Sequence, residues 1–124
     1  LDPLLRGLFA SPLKMPKPSQ LLNTELTEKL FNRNVDIALD LASLNIQRSR
    51  DHGLPAYVEY RGFCNLSVPT TWTEMEDIVK DADVVSKMRN VYGHPANIDI
   101  WVGGITERRH SEGLVGPTFA CIIA

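Results

Sequence analysis

Residues 41–55, LASLNIQRSRDHGLP, carry the strongest pattern in this 124-residue chain. When residues 34–50 are placed on a helix at about 100° per residue, polar side chains collect in one narrow strip. Most of the remaining circumference is Val, Ile, Leu and Ala, which is typical of a helix buried on nearly every side. His52-Gly53 and Pro55 predict its end, because glycine suits a left-handed cap and proline cannot continue the helix. The strip consists of Asp36, Asp40, Ser43, Gln47 and Arg50.

Two polar side chains lie outside this strip. Asn45 is opposite it, and Arg48 follows one turn later between Leu41 and Leu44. A buried guanidinium costs several kcal/mol unless it meets an anion, and a buried amide also needs partners. The face therefore predicts one wall of a pocket for a largely apolar, anionic ligand. In the alternative interpretation, which periodicity alone favours, Arg48 pairs with a carboxylate elsewhere in the fold and Asn45 caps a backbone.

Composition narrows the class of protein. The net charge of −2 comes from mixed charges and provides no basic face for nucleic acid. No apolar run approaches the roughly 20 residues that a membrane span needs. The three histidines and two cysteines lack the close pairs typical of zinc ligands, so we predict no metal site. The chain starts at Leu1 and stops within the apolar run of residues 119–124, which leads us to expect a fragment of a longer protein.

The remaining patterns predict a mainly helical chain, 1–124, with no internal domain boundary. Gly103-Gly104 interrupts a short apolar segment, and residues 107–113 read as a charged surface loop. A capping box at Thr71–Glu74 and a proline at the first turn of a last helix mark two helix starts. The predicted helices cover residues 4–10, a segment capped by Asn23 or Thr24, residues 57–63, the segment after Thr71, residues 84–92 and the segment from Pro117.

The run from Leu44 to Pro55, followed by Tyr57, Arg61, Phe63 and Cys64, resembles the animal haem peroxidases, such as myeloperoxidase, lactoperoxidase, thyroid peroxidase and peroxidasin. The resemblance extends from Leu1-Asp2-Pro3 to Ala120-Cys121 and so covers essentially the whole chain. Within the family it is nearest to peroxidasin, through residues 11–16 and 64–67. It implies that residues 1–124 are a proximal-side portion of a helical haem peroxidase catalytic domain.

The resemblance assigns roles to the face described above. It implies that Asn45 hydrogen-bonds the proximal histidine of a haem, that Arg48 binds a haem propionate, and that Leu41 and Leu44 pack near the haem. The family's distal histidine and arginine, proximal histidine, haem-linking carboxylates and calcium loop have no counterpart here, so no catalytic residue is assigned. The implied cofactor is b-type haem, with any covalent link through residues outside this chain. Calcium would bind elsewhere in the whole protein.

The implied function is that of a secreted enzyme that uses hydrogen peroxide to oxidise halide, thiocyanate or phenolic donors. Its partners would be haem, these small molecules and the remainder of the peroxidase chain, without nucleic acid or a membrane span. The resemblance also implies a disulfide between Cys64 and Cys121, and the sequon Asn65-Leu66-Ser67 predicts glycosylation at Asn65. Two alternatives stay open: a non-catalytic peroxidase-like adhesion or interaction module, and a haem-free fold in which Arg48 pairs internally.

Overall fold

The chain is mainly helical in the computed structural model, which describes residues 1–32 and 37–124. Among these residues, extended pairing is limited to three isolated β-bridges. The predicted fold class is therefore confirmed. No helix in the described ranges is long and apolar enough to cross a membrane. The helices are α1 (Asp2–Ala10), α2 (Thr24–Thr27), α3 (Leu41–Asp51), α4 (Tyr57–Phe63), α5 (Trp72–Val79), α6 (Ala82–Tyr92), α7 (Ile100–Thr106) and α8 (Pro117–Ile123), with a 3₁₀ turn at Pro95–Asn97.

Helix α3 begins later than the sequence predicts, at Leu41 rather than residue 34. The carboxylate of Asp40 is the N-cap: its Oδ1 accepts from the backbone N–H of Ala42 and Ser43 at 2.8 and 3.4 Å, and its Oδ2 accepts from the Ser43 hydroxyl at 2.9 Å. These bonds, led by the one from the hydroxyl, lower the pKa of Asp40. Asp40 is therefore a cap and not a residue within the helix. Asp36 lies outside the described residues.

Several predicted helix ends are confirmed. Gly53 has φ +64° and follows the end of α3, and Gly93 with φ +71° ends α6. Helix α5 starts with a complete capping box, in which Thr71 Oγ1 accepts from the N–H of Glu74 at 3.3 Å and the Glu74 carboxylate accepts from the N–H of Thr71 at 3.0 Å. Pro117 begins α8. Each of these boundaries depends on one or two neighbouring residues.

The hydrophobic core lies in the second half of the chain, and no described residue before Tyr57 is buried. The prediction that α3 is buried on nearly every side is therefore wrong for this chain. Within the described ranges α3 packs mainly against α2 and α7, which leaves Leu44 40 % exposed. The core residues come from α4, α5, α6 and the segment entering α7: Tyr57, Val58, Met75, Val79, Val84, Val85, Met88, Ile98 and Ile100.

Two glycines allow α7 to pack closely on both sides. Helix α7 runs through Gly103 and Gly104, where the sequence predicts an interruption. A Cβ atom at Gly103 would lie 2.2 Å from Cγ of Tyr57, and one at Gly104 would lie 2.3 Å from Cε1 of Phe119. Neither position can hold a side chain without moving a neighbouring ring, so the glycines permit α4 and α8 to contact the α7 backbone.

A disulfide joins α4 to α8. Cys64, the C-cap of α4, is bonded to Cys121 in α8, with 6.1 Å between their Cα atoms. The pairing is the one that the family resemblance implies. It encloses the core elements between the two cysteines in one covalent loop.

Candidate functional site

Four of the predicted site residues share one face of α3. Leu41, Leu44, Asn45 and Arg48 fall within an arc of about 100° on the helix. Leu41 and Asn45 are half-buried, whereas Leu44 and Arg48 are exposed. We call these four residues the α3 face. It presents apolar side chains next to an amide and a guanidinium, which is the composition expected for a ligand that is apolar with an anionic end.

The two polar side chains of the α3 face, Asn45 and Arg48, have no side-chain partner among the described residues. Within the described residues, the Arg48 guanidinium makes no ion pair or hydrogen bond, and neither does the side-chain amide of Asn45. The backbone carbonyl of Asn45 accepts from the Ser49 hydroxyl at 2.9 Å, so only its amide group remains unused. No carboxylate in this part of the chain pairs with Arg48, as one alternative requires. The Arg48 guanidinium can therefore donate to an acidic group, and the Asn45 amide can form a hydrogen bond with a polar group.

The second arginine of α3 behaves differently. Arg50 donates two hydrogen bonds to Asp99, from Nε to Oδ1 at 3.0 Å and from Nη2 to Oδ2 at 2.7 Å. The Tyr92 hydroxyl also donates to Oδ2 at 2.9 Å. Arg50 lowers the pKa of Asp99, and burial followed by the bond to Asp99 raises the pKa of Tyr92 to about 12. We call Arg50, Asp99 and Tyr92 the α3 clamp, because they tie α3 to α6 and α7.

The α3 clamp should make stability sensitive to acid. Asp99 has a folded-state pKa below its ordinary value of 3.8, so its contribution is fully present above that value and is lost as the pH falls through the lower folded-state pKa. We expect the difference in urea midpoint between the whole protein and its Asp99→Asn variant to be greatest near neutral pH and to shrink below pH 3.8. A difference that stays constant with pH would contradict this.

A buried ionic cluster was missed by the sequence analysis. Glu107, predicted to open an exposed loop, is only 3 % exposed. Its Oε1 accepts from the Tyr57 hydroxyl, Arg61 Nη1 and the Thr118 hydroxyl, each at 2.5 Å, and its Oε2 accepts from the N–H of Thr118 at 2.9 Å. Burial, followed by the charge of Glu107, raises the pKa of Tyr57. The available signal was that Glu107 directly follows an apolar segment.

This cluster, which we call the Glu107 cluster, consists of Glu107, Tyr57, Arg61 and Thr118 and finds its hydrogen-bond partners within the protein. Arg61 also donates from Nε to the carbonyl of Ser67 at 2.6 Å and from Nη2 to the Ser67 hydroxyl at 3.0 Å. Among the described residues, no buried side-chain nitrogen or oxygen lacks a hydrogen-bond partner. The Glu107 cluster therefore joins α4, α7 and α8, and its buried polar atoms are bonded within the protein rather than left for a ligand.

The predicted glycosylation site lies on an exposed turn. Asn65 is exposed, has φ +55° and directly follows the disulfide residue Cys64 at the end of α4. Asparagine tolerates this left-handed conformation better than most residues do. The turn offers the Asn65 side chain to solvent, which is the geometry that an attached glycan needs.

Sequence comparisons identify related proteins along the whole chain. A family model described as animal haem peroxidase matches residues 1–124. The chain is 64 % identical over 124 residues to peroxidasin homolog pxn-2 of Caenorhabditis elegans, covering 100 % of this chain and 9 % of that protein. It is 50 % identical to peroxidasin of Drosophila melanogaster and 50 % identical to thyroid peroxidase of Canis lupus familiaris, each over 99 % of this chain but only 8 % and 13 % of those proteins. The chain thus spans a small part of each relative.

Solved structures are similar as well. Peroxidase A from Dictyostelium discoideum superposes with a TM-score of 0.71 and 38 % identity, over 81 % of this chain and 19 % of that one. A fatty acid alpha-dioxygenase from Oryza sativa superposes with a TM-score of 0.62 and 28 % identity, over 72 % of this chain and 14 % of that one. Because the family model matches every residue of the sequence, this chain belongs to the animal haem peroxidase family.

Proposed function

We propose that residues 1–124 are a proximal-side portion of the catalytic domain of a secreted haem peroxidase. The whole enzyme would use hydrogen peroxide to oxidise halide, thiocyanate or phenolic donors. Membership of the family supports the class of reaction. The observation that carries the role of this segment is the contrast between the two arginines of α3: Arg50 is paired bidentately, whereas Arg48 has no partner among the described residues.

The residues of the α3 face fit a b-type haem. Leu41 and Leu44 offer apolar contact to a macrocycle, and the Arg48 guanidinium offers a planar fork to a propionate carboxylate. The Asn45 amide can hydrogen-bond the histidine that ligates the iron, which fixes the orientation of that ring and makes it more basic. When bound, the haem supplies the iron that peroxide oxidises. We assign calcium binding and any covalent haem link to the remainder of the protein.

Arg48→Ala in the whole protein tests the propionate role. The substitution would leave a propionate without its charge-assisted hydrogen bond, which is worth roughly 1.5–3 kcal/mol, so haem retention should fall about ten- to a hundred-fold. Arg48→Lys should restore it only partly, because lysine keeps the charge but lacks the fork. The measurements are haem occupancy from the Soret band and thermal stability with and without haem.

Arg6→Ala is the control for this experiment. Arg6 lies on α1 and pairs with the exposed carboxylate of Asp2. We expect Arg6→Ala to leave the haem occupancy and the melting temperature almost unchanged, as is usual for an exposed ion pair. If Arg48→Ala lowers the melting temperature of the haem-free and the haem-bound protein alike, with haem occupancy unchanged, the propionate assignment is wrong and Arg48 is a structural residue.

Asn45→Leu should change the iron without releasing the haem. Leucine keeps the volume of the side chain but cannot bond the proximal histidine, so that histidine becomes a weaker donor and the reduction potential of the iron should rise. Haem content should stay that of the unsubstituted protein. Spectroelectrochemical titration measures the potential, and an unchanged value in a folded, haem-replete variant would remove Asn45 from the site.

Secretion is supported by two features of this chain. The Cys64–Cys121 disulfide is typical of an oxidising compartment, and Asn65 offers an exposed sequon for a glycan. Two measurements on the whole protein distinguish the alternatives. An adhesion or interaction module would show no peroxide-dependent oxidation of donors, and a haem-free fold would also show no Soret band.

A further inference from the structure

Among the described residues, three helices have an aspartate at the N-cap, and one of these aspartates makes no capping bond. Asp40 accepts from backbone N–H groups at the start of α3, and Asp81 accepts from the N–H of Val84 at the start of α6. Asp99, at the start of α7, makes no side-chain capping bond. Both of its oxygens accept from other elements instead, from Arg50 and Tyr92. The local bond that favours aspartate at this position is replaced by distant ones.

Contacts with the start of α4 hold the backbone around Asp99 in place. Ile98 is fully buried, and its carbonyl accepts from the N–H of Tyr57 at 2.9 Å. Asp99 itself forms an isolated bridge with Ala56, and Gly103 one turn later packs against the ring of Tyr57. The side chain of Asp99 is 10 % exposed. A carboxylate fixed in this way is a rigid reference point for whatever it binds.

Arg50 transmits that fixed position to α3. A bidentate guanidinium–carboxylate pair constrains direction as well as distance. On an α-helix Arg50 lies about 160° around the axis from Arg48 and about 140° from Asn45. Holding the helix at Arg50 therefore sets the direction in which the α3 face points on the opposite side.

We propose that Asp99, with Tyr92, positions α3 through Arg50 and so sets the direction in which Asn45 and Arg48 meet the haem. These three clamp residues are positioning residues, since none of them belongs to the face that would touch the cofactor. The inference rests on the proposed haem-binding role of the α3 face. It adds that the direction of the α3 face is set from the opposite side of α3. The residue that sets it is Asp99, whose carboxylate makes no capping bond to α7.

The test uses the whole, haem-loaded protein with Asp99→Asn, Arg50→Lys and Tyr92→Phe. Energetic coupling of this kind changes equilibria about two- to thirty-fold, so Asp99→Asn should speed haem dissociation within that range. It should also shift the iron–histidine stretching band in resonance Raman spectra, because the amide of Asn45 moves relative to the histidine. Arg50→Lys, which keeps one charged contact without the fork, should give smaller changes in the same direction.

Thr71→Ala is the control, because it removes the cap of α5 and lowers stability without touching α3. If Asp99→Asn lowers the melting temperature but leaves the dissociation rate and Raman band as in Thr71→Ala, the inference is overturned. Should Asp99→Asn fail to fold, Tyr92→Phe decides, since it removes one hydrogen bond only. An unshifted band there overturns the inference as well.

The Arg48 variants separate this inference from the proposed function. If Arg48→Ala leaves haem retention unchanged, the α3 face does not hold haem and both proposals fail together. If Arg48→Ala releases haem while the clamp variants do not differ from Thr71→Ala, the proposed function stands and the positioning role alone is wrong.

Discussion

Glu107→Gln is expected to lower the free energy of unfolding by roughly 3–5 kcal/mol, the cost typical of removing one partner of a buried ion pair. The side chains of Arg61 and Glu107 are 5 % and 0 % exposed, so water cannot solvate the Arg61 guanidinium in place of the lost carboxylate. Glutamine keeps the shape of glutamate but removes its charge, which leaves the guanidinium of Arg61 with neutral acceptors such as the oxygens of Ser67 and the hydroxyl of Tyr57. Urea denaturation of the whole protein, followed by tryptophan fluorescence, measures the loss.

Two further variants provide a scale for the loss expected from Glu107→Gln. Tyr57→Phe removes one of the donors to Glu107 and should cost roughly 1.5–3 kcal/mol, as for a hydrogen bond to a charged group. Asp77→Asn disrupts the exposed Asp77–Lys80 pair and should leave the urea midpoint almost unchanged. A loss for Glu107→Gln as small as that for Asp77→Asn would show that the Glu107 cluster contributes no net stability.

Removing the Cys64–Cys121 disulfide should cost roughly 4 kcal/mol on the chain-entropy model. The two residues are 57 apart in sequence, so the bond restricts a long loop of the unfolded chain. Cys64→Ala, Cys121→Ala and the double variant should lose nearly the same stability, because each removes the same bond. Thermal unfolding of the secreted whole protein, with and without reductant, measures the effect.

Non-reducing peptide mapping of the unsubstituted protein provides the control. A proteolytic peptide pair linked through Cys64 and Cys121 should be present and should disappear after reduction. Two free thiols in the secreted protein would contradict the disulfide. A double variant as stable as the unsubstituted protein would contradict the contribution of the disulfide to stability.

Those parts of the fold that depend on local chemistry could be predicted from the sequence. Gly53 and Gly93 end α3 and α6 because positive φ favours glycine, and Thr71 with Glu74 starts α5 through a capping box. The start of α3 could not be predicted by periodicity, since the apolar pattern continues back to residue 34. One carboxylate, that of Asp40, decides the boundary by bonding the first free N–H groups.

Burial was harder to predict, because it depends on partners distant in sequence. The apolar circumference of α3 is a property of that segment alone, whereas its cover within the described residues comes only from neighbours such as α2 and α7. Glu107 was predicted to be exposed and is buried. Its three side-chain donors lie 50, 46 and 11 residues away in the sequence. A charged residue next to a loop gives no local sign of such partners.

The paired glycines of α7 have a consequence for how substitutions in this chain are interpreted. Adjacent residues of a helix point about 100° apart, so Gly103 and Gly104 leave two neighbouring sides of the α7 backbone without side chains. The rings of Tyr57 and Phe119 occupy those sides, so α4 and α8 each pack directly on the α7 backbone. Alanine, the mildest replacement at most helical positions, would here already force an aromatic ring to move. These two glycines therefore determine how closely α4 and α8 can pack on α7.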